Sequence, residues 1–148
     1  MSKDGFSFSS KKIDVSKKIT IVASKWNAEL VDELLESGKA HLKELGFTNI
    51  KTVNVPGAWE LVHAAHKELA DADGVIAYGV VIRGETIHYE LISESTAQGL
   101  MQVSVNEKKP IGFGLIAAED FSQAKERTNA LKLNKGKEIA QSLVEMLN

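Results

Sequence analysis

"GVIAYGVVIRGETIHYE", residues 74–90, decides the fold. Its first nine residues are apolar almost throughout, as in a central parallel strand covered on both faces; a strand with one wet face alternates instead. The chain then passes through Arg83, Gly84, Glu85 and Thr86 into an apolar stripe of Leu91, Ile92, Ser95, Leu100 and Val103, which predicts a helix reaching about Val105. A buried strand feeding a helix in this way is the first half of a strand, helix, strand crossover.

Working outward, the same alternation recurs. "KITIVAS" (18–24) reads as a buried strand, followed by Asn27 as a cap and a helix with its stripe at Leu30, Val31, Leu34, Leu35, Leu42 and Leu45, ended by Gly46. "NIKTVNV" (49–55) alternates as a strand and stops at Pro56-Gly57, and Leu61, Val62, Ala65 and Leu69 mark a second helix. Pro110 opens "IGFGLIA" as a fourth strand, Asp120 with Gln123 resembles a capping box, and a last helix runs from about Asn134 to Leu147. Strand and helix alternating four times predict an α/β fold: a parallel sheet with helices on both faces and right-handed crossovers. In such sheets ligands bind outside the carboxyl ends of the strands. Those ends are residues 24–27, 55–60, 82–88 and 117–120.

Composition bounds what the fold serves. A chain of 148 residues with 43% hydrophobic content is long enough to bury a real core, so a single domain over 1–148 is expected, with about 1–17 as an N-terminal arm. Net charge is −2, with acids and bases interspersed apart from Lys11, Lys12, Lys17 and Lys18, which leaves no footprint for nucleic acid or a membrane surface. Cysteine is absent, which removes disulfides, thiol nucleophiles and cysteine-ligated zinc. The start, "MSKDGFSFSS", lacks a signal-peptide apolar region, and a cytoplasmic location is expected.

The strand-end loops hold the candidate chemistry. Gly84 permits close backbone approach, Thr86 can cap the helix, and first-turn amides suit an anion such as phosphate. His88 in that turn would be a neutral proton acceptor, or else a surface or interface histidine. Trp26 and Trp59 can cover a flat heterocycle or pack in an interface. Glu60 can accept from sugar hydroxyls or complement a helix dipole, and Arg127 and Lys135 can pair an anion or form a solvated face. His63 and His66, three apart, have no evident third ligand, so no metal site is expected, and His41 reads as exposed.

Taken together, "KWN" (25–27), "VPGAWE" (55–60), "VIRGETIHYE" (81–90), "GFGLI" (112–116), "QAKERT" (123–128) and "NKGKE" (134–138) resemble, in order and spacing, the motifs of the 6,7-dimethyl-8-ribityllumazine synthase family, over about Ile19 to Met146. The resemblance implies a flavodoxin-like three-layer α/β/α sandwich: a central four-stranded parallel sheet plus an N-terminal edge strand at about 6–13 that adds to a neighbouring subunit. It implies the penultimate step of riboflavin biosynthesis, in which 5-amino-6-(D-ribitylamino)uracil condenses with 3,4-dihydroxy-2-butanone 4-phosphate without metal or organic cofactor. In that reading Trp26 stacks on the uracil, Gly57, Ala58, Trp59 and Glu60 hold the ribityl chain, and the Val81 and Ile82 backbone meets the pyrimidine edge. Gly84, Glu85 and Thr86 amides cradle phosphate with Arg127. His88 moves protons with Glu138, Lys135 contacts the pyrimidine carbonyl, and Phe113 closes the pocket from a neighbouring subunit. The family resemblance also implies homopentamers, in some members closed into icosahedral 60-mers, and an association with riboflavin synthase. Departures from the family pattern are Trp26 for Phe, Glu90 for Asp, Ala117 and Ala118 for Thr, and Thr128 with Asn129 for Ala-Gly. The rival readings are a non-catalytic lumazine or flavin binder and a purely structural shell protein.

Overall fold

The computed structural model describes residues 7 and 12–147. Its strands are β1 (Ile19–Ser24), β2 (Ile50–Val55), β3 (Gly74–Ile82) and β4 (Ile111–Ala118), and its helices α1 (Ala28–Glu44), α2 (Ala58–Glu68), α3 (His88–Glu107), α4 (Phe121–Thr128) and α5 (Lys135–Met146). Every pairing is parallel, in the order β2-β1-β3-β4. This is the flavodoxin-like winding, which leaves its topological switch point between β1 and β3. The edge strand expected at 6–13 lies outside the described residues, apart from Ser7, Lys12 and Ile13, which join no strand.

Alternation along β3 builds two separate cores. Ile76, Tyr78 and Val80 turn toward a cluster with Leu30, Leu34 and Leu143, beneath α1, α4 and α5. Val75 and Ala77 turn the other way, against Leu61, Ala65 and Leu100 of α2 and α3. Both faces of β3 are thereby dry, which explains its unbroken apolar run.

Tyr78 joins the sheet to the first helical layer. Its buried hydroxyl donates to the Gly136 carbonyl at 2.6 Å, and burial pushes the phenol far above its ordinary pKa, so it remains a donor at every working pH. Room for the ring comes from Gly38 on α1 and Gly114 on β4, where a methyl group would strike it. Gly136 in turn lies so close to α1 that a side chain there would collide with the Leu34 backbone.

Three expectations change. His41, expected to be exposed, is buried, because α5 lies along this face of α1; its Nε2 meets Gln141 Oε1 at 2.5 Å. On α3 the inward face is Ile92, Thr96, Leu100 and Val103, whereas Leu91 is 56% exposed and Ser95 also faces outward. The helix also runs two residues beyond Val105, ending at Lys108 in the left-handed region.

Replacing Tyr78 by Phe is expected to cost about 0.5–1.5 kcal/mol, because the buried hydrogen bond to the Gly136 carbonyl is lost. Gly136→Ala should cost at least as much through overpacking. Urea denaturation followed by circular dichroism at fixed protein concentration reads both, and an unchanged midpoint for Tyr78→Phe would sink the assigned role.

Candidate active site

β1 pairs with β3 only as far as Ala23 and Tyr78, while β3 continues to Ile82 beside β4. On the β1 side, the Val80 carbonyl therefore lies past the last strand partner. The Asn27 side chain takes that place, its Nδ2 donating to Val80 at 2.8 Å. To reach it, Asn27 adopts φ 57° and ψ 45°, the left-handed region that Asn tolerates better than most residues. Asn27 thus stands at the start of α1 without capping it, and the expected cap is instead a pin between β1 and β3.

The pin fixes Trp26 beside the loop from β2. The Lys25 amide donates to Val55 at 2.8 Å and that of Trp26 to Pro56 at 3.2 Å. The indole lies against Gly57: a methyl group there would come within 3.1 Å of Trp26 Cδ1. From the first turn of α2, the Glu60 carboxylate reaches back to accept from the Gly57 amide at 2.9 Å, the one half of a capping box that glycine permits.

These loops, the end of β3 and the start of α3 enclose a cavity of about 410 Å³ at the switch point. Trp26, Gly57, Ala58, Trp59, Glu60, Val81, Ile82 and His88 all line it, as does Asn27, together with Val80 and Ile92, which sequence reasoning did not single out. The two indoles are 73% and 63% exposed, forming an apolar rim, with Asn27, Glu60 and His88 as the polar residues of the lining. A larger groove of about 520 Å³ between α2 and α3 shares Trp59 but lies away from the strand ends. In it His66 pairs with Glu107 at 3.1 Å. Placement at the carboxyl ends of β1, β2 and β3 favours the smaller cavity as the reaction site.

Beside it, the loop before α3 stands open. Gly84, Glu85 and Thr86 are exposed, nothing lies within 4 Å of where a Gly84 side chain would be, and Thr86 Oγ1 accepts from the His88 amide at 3.3 Å, one residue outside the helix cap. Arg83, at the base of this loop, was not among the sequence candidates. Its guanidinium pairs with Glu90 on α3 and, through Nε at 2.8 Å, with Glu119 at the end of β4, while resting 4.6 Å from the Tyr89 ring centroid. The Glu90 carboxyl is held below the ordinary carboxylate range by its own backbone amide and then by Arg83. The pair therefore stands at neutral pH and is lost only as pH falls through that lowered value.

The other expected residues do not reach the cavity of their own chain. Phe113 is 41% exposed on the edge strand β4, five residues before Ala118 and so roughly 16 Å short of the strand ends. Arg127 sits in the last turn of α4, its Nη1 donating to the Gln123 carbonyl at 2.9 Å. Lys135 and Glu138 open α5 and pair at 2.7 Å with the lysine buried. α4 and α5 belong to the layer of α1, across the sheet from α2 and α3. Of the positions that depart from the family pattern, Thr128 and Ala118 are buried and Asn129 Oδ1 accepts from the Leu131 amide at 2.8 Å.

The sequence model of 6,7-dimethyl-8-ribityllumazine synthase matches residues 16–148. The chain belongs to the 6,7-dimethyl-8-ribityllumazine synthase family. A relative from Leuconostoc mesenteroides subsp. mesenteroides, named 6,7-dimethyl-8-ribityllumazine synthase, is 38% identical over 146 residues, covering 95% of this chain and 94% of the relative. Membership places the chain among transferase-type enzymes of the riboflavin pathway. Among the described residues no helix is long and apolar enough to cross a membrane.

In this lumazine synthase family member, Asn27→Ala is expected to lose the Val80 hydrogen bond and to place Ala in the left-handed region, for a combined cost of about 2 kcal/mol. Asn27→Gly should lose only about half of that, since glycine accepts the backbone conformation freely. Denaturation midpoints that rank Gly below Ala would show that the backbone argument fails.

Proposed function

We propose that the chain condenses 5-amino-6-(D-ribitylamino)uracil with 3,4-dihydroxy-2-butanone 4-phosphate to give 6,7-dimethyl-8-ribityllumazine, phosphate and water, as a cytoplasmic enzyme. The observation that carries this reading is the cavity at the β1/β3 switch point, where Trp26, the Gly57–Glu60 turn, the end of β3 and His88 converge in a chain of this family.

The chemistry asks little of the protein beyond placement. The nucleophile is the 5-amino group of the substrate, which forms a Schiff base with the ketone and expels one water; phosphate then leaves and the ring closes with loss of a second water. The residues have to orient the two substrates, balance the phosphate charge and move protons. Trp26 stacks on the pyrimidine, the Val81 and Ile82 backbone meets its edge, and the Gly57–Glu60 turn takes the ribityl hydroxyls, with Glu60 as the acceptor. The amides of Gly84, Glu85 and Thr86 receive the phosphate, and His88 at the head of α3 transfers protons to and from the amine and the departing groups.

A single chain supplies only part of this set, because Phe113, Arg127, Lys135 and Glu138 lie away from its cavity. The proposed site is completed by a second copy: Phe113 closes the pocket, Arg127 neutralises the phosphate, Lys135 contacts the pyrimidine carbonyl, and Glu138 assists His88. Exposed Leu91, Met101 and Val105 on α3 support such assembly, since apolar side chains along one solvent-facing helix call for a cover. A pentamer, closed or not into a 60-mer, and an association with riboflavin synthase belong to the same proposal.

Mixing the purified protein with both substrates should give lumazine faster than the uncatalysed background, in proportion to protein added. Binding without acceleration would favour a non-catalytic carrier, and assembly without binding a shell protein. His88→Ala should slow turnover by roughly a hundredfold while leaving KM little changed, as removal of a proton-transfer group does, and Arg127→Ala should chiefly raise KM for the phosphorylated substrate. At phosphorylated substrate well below the raised KM, co-refolding these two impaired variants in equal amounts should restore about a quarter of the wild-type sites if each site draws His88 and Arg127 from different copies in a head-to-tail ring. Failure of the mixture to regain activity would overturn the shared site.

A further inference from the structure

Arg83 stands next to the open loop 84–88, where a basic residue invites assignment as an anion ligand. Its surroundings argue otherwise. Glu90 and Glu119 both pair with its guanidinium, so one positive charge faces two negative ones and the cluster carries a net negative charge. The planar fork is occupied on two sides by carboxylates and rests on the Tyr89 ring. The partners come from separate elements. Glu90 is in the first turn of α3, so Arg83 and Glu90 close the two ends of the loop that carries Gly84, Glu85, Thr86 and His88. Glu119 follows β4 and is itself held, its amide donating to Gln123 Oε1 at 2.8 Å while Gln123 donates to Asp120, the cap of α4. The Arg83 amide adds a further tie to β4, donating to Ala118 at 2.9 Å.

We propose that Arg83 is a positioning residue: through Glu90 and Glu119 it holds the 84–88 loop, and with it His88, in register with the cavity, without touching substrate. The catalytic consequence rests on the reading given under Proposed function; the mechanical role does not. Ion pairs this exposed contribute little to global stability, so the strut acts on loop position rather than on whether the chain folds.

Three variants test it: Arg83→Ala, Arg83→Lys and Glu119→Ala. Hydrogen exchange should accelerate at the His88 and Leu91 amides, which donate to Thr86 and Ile87, in Arg83→Ala while those of β1 and β3 and the thermal midpoint stay as in the wild type; unchanged exchange at these two amides overturns the strut whatever reaction the enzyme performs. In the condensation assay Arg83→Ala should lower kcat by roughly tenfold or more, as loss of near-attack geometry does, with KM for the ribitylamino-uracil little altered. Arg83→Lys should fail to rescue, because an ammonium cannot bridge two carboxylates as the fork does. Glu119→Ala gives opposite signs for the two roles. A strut predicts a slower enzyme, whereas a phosphate ligand freed from one carboxylate would bind the phosphorylated substrate more tightly and lower its KM. Rescue by lysine or a lowered KM in Glu119→Ala would assign Arg83 to the substrate instead. A wild-type protein that fails to accelerate condensation would refute the proposed reaction, while the exchange measurement still judges the strut.

Discussion

The hydrogen bond from the Tyr78 hydroxyl to the Gly136 carbonyl fixes how deeply α5 sits against the sheet. A phenol this buried has to find an acceptor, and only the unsubstituted backbone at Gly136 lets α5 approach α1 closely enough to offer one. Because α5 starts at Lys135, the same contact sets where the Lys135–Glu138 pair stands. A core interaction and the geometry of two expected substrate contacts are therefore one constraint.

The sheet also divides the proposed chemistry. Loops at the ends of β1, β2 and β3, with the head of α3, make the cavity, while α4 and α5 hold Arg127, Lys135 and Glu138 in the opposite layer. Crossing from one set to the other within a chain would mean passing through the apolar core around Tyr78. The proposed head-to-tail arrangement of copies would join the sets without disturbing either core, which is why family resemblance and single-chain geometry lead to the same proposal.

Much of the fold was legible because burial leaves periodic marks. The unbroken apolar run of β3 gave away a strand covered on both sides, and the parallel sheet it implied pointed to the loops where Trp26, Glu60 and His88 are in fact gathered. What escaped depended on partners distant along the chain. Asn27 has the residue type of a helix cap, and only the overhang of β3 beyond β1 explains why its amide turns to Val80 instead. His41 lies on a flank of α1 that would be wet if α5 did not cover it. Arg83 looks like a phosphate ligand in isolation, until Glu119 is brought to it from the end of another strand.

The chain contains two tryptophans, and both stand at the rim of the same cavity. With neither indole in the core, the tryptophan emission of the protein comes from the site alone. Any aromatic guest that stacks at the rim should therefore quench much of the indole light the protein emits. The molecule carries an optical gauge of occupancy.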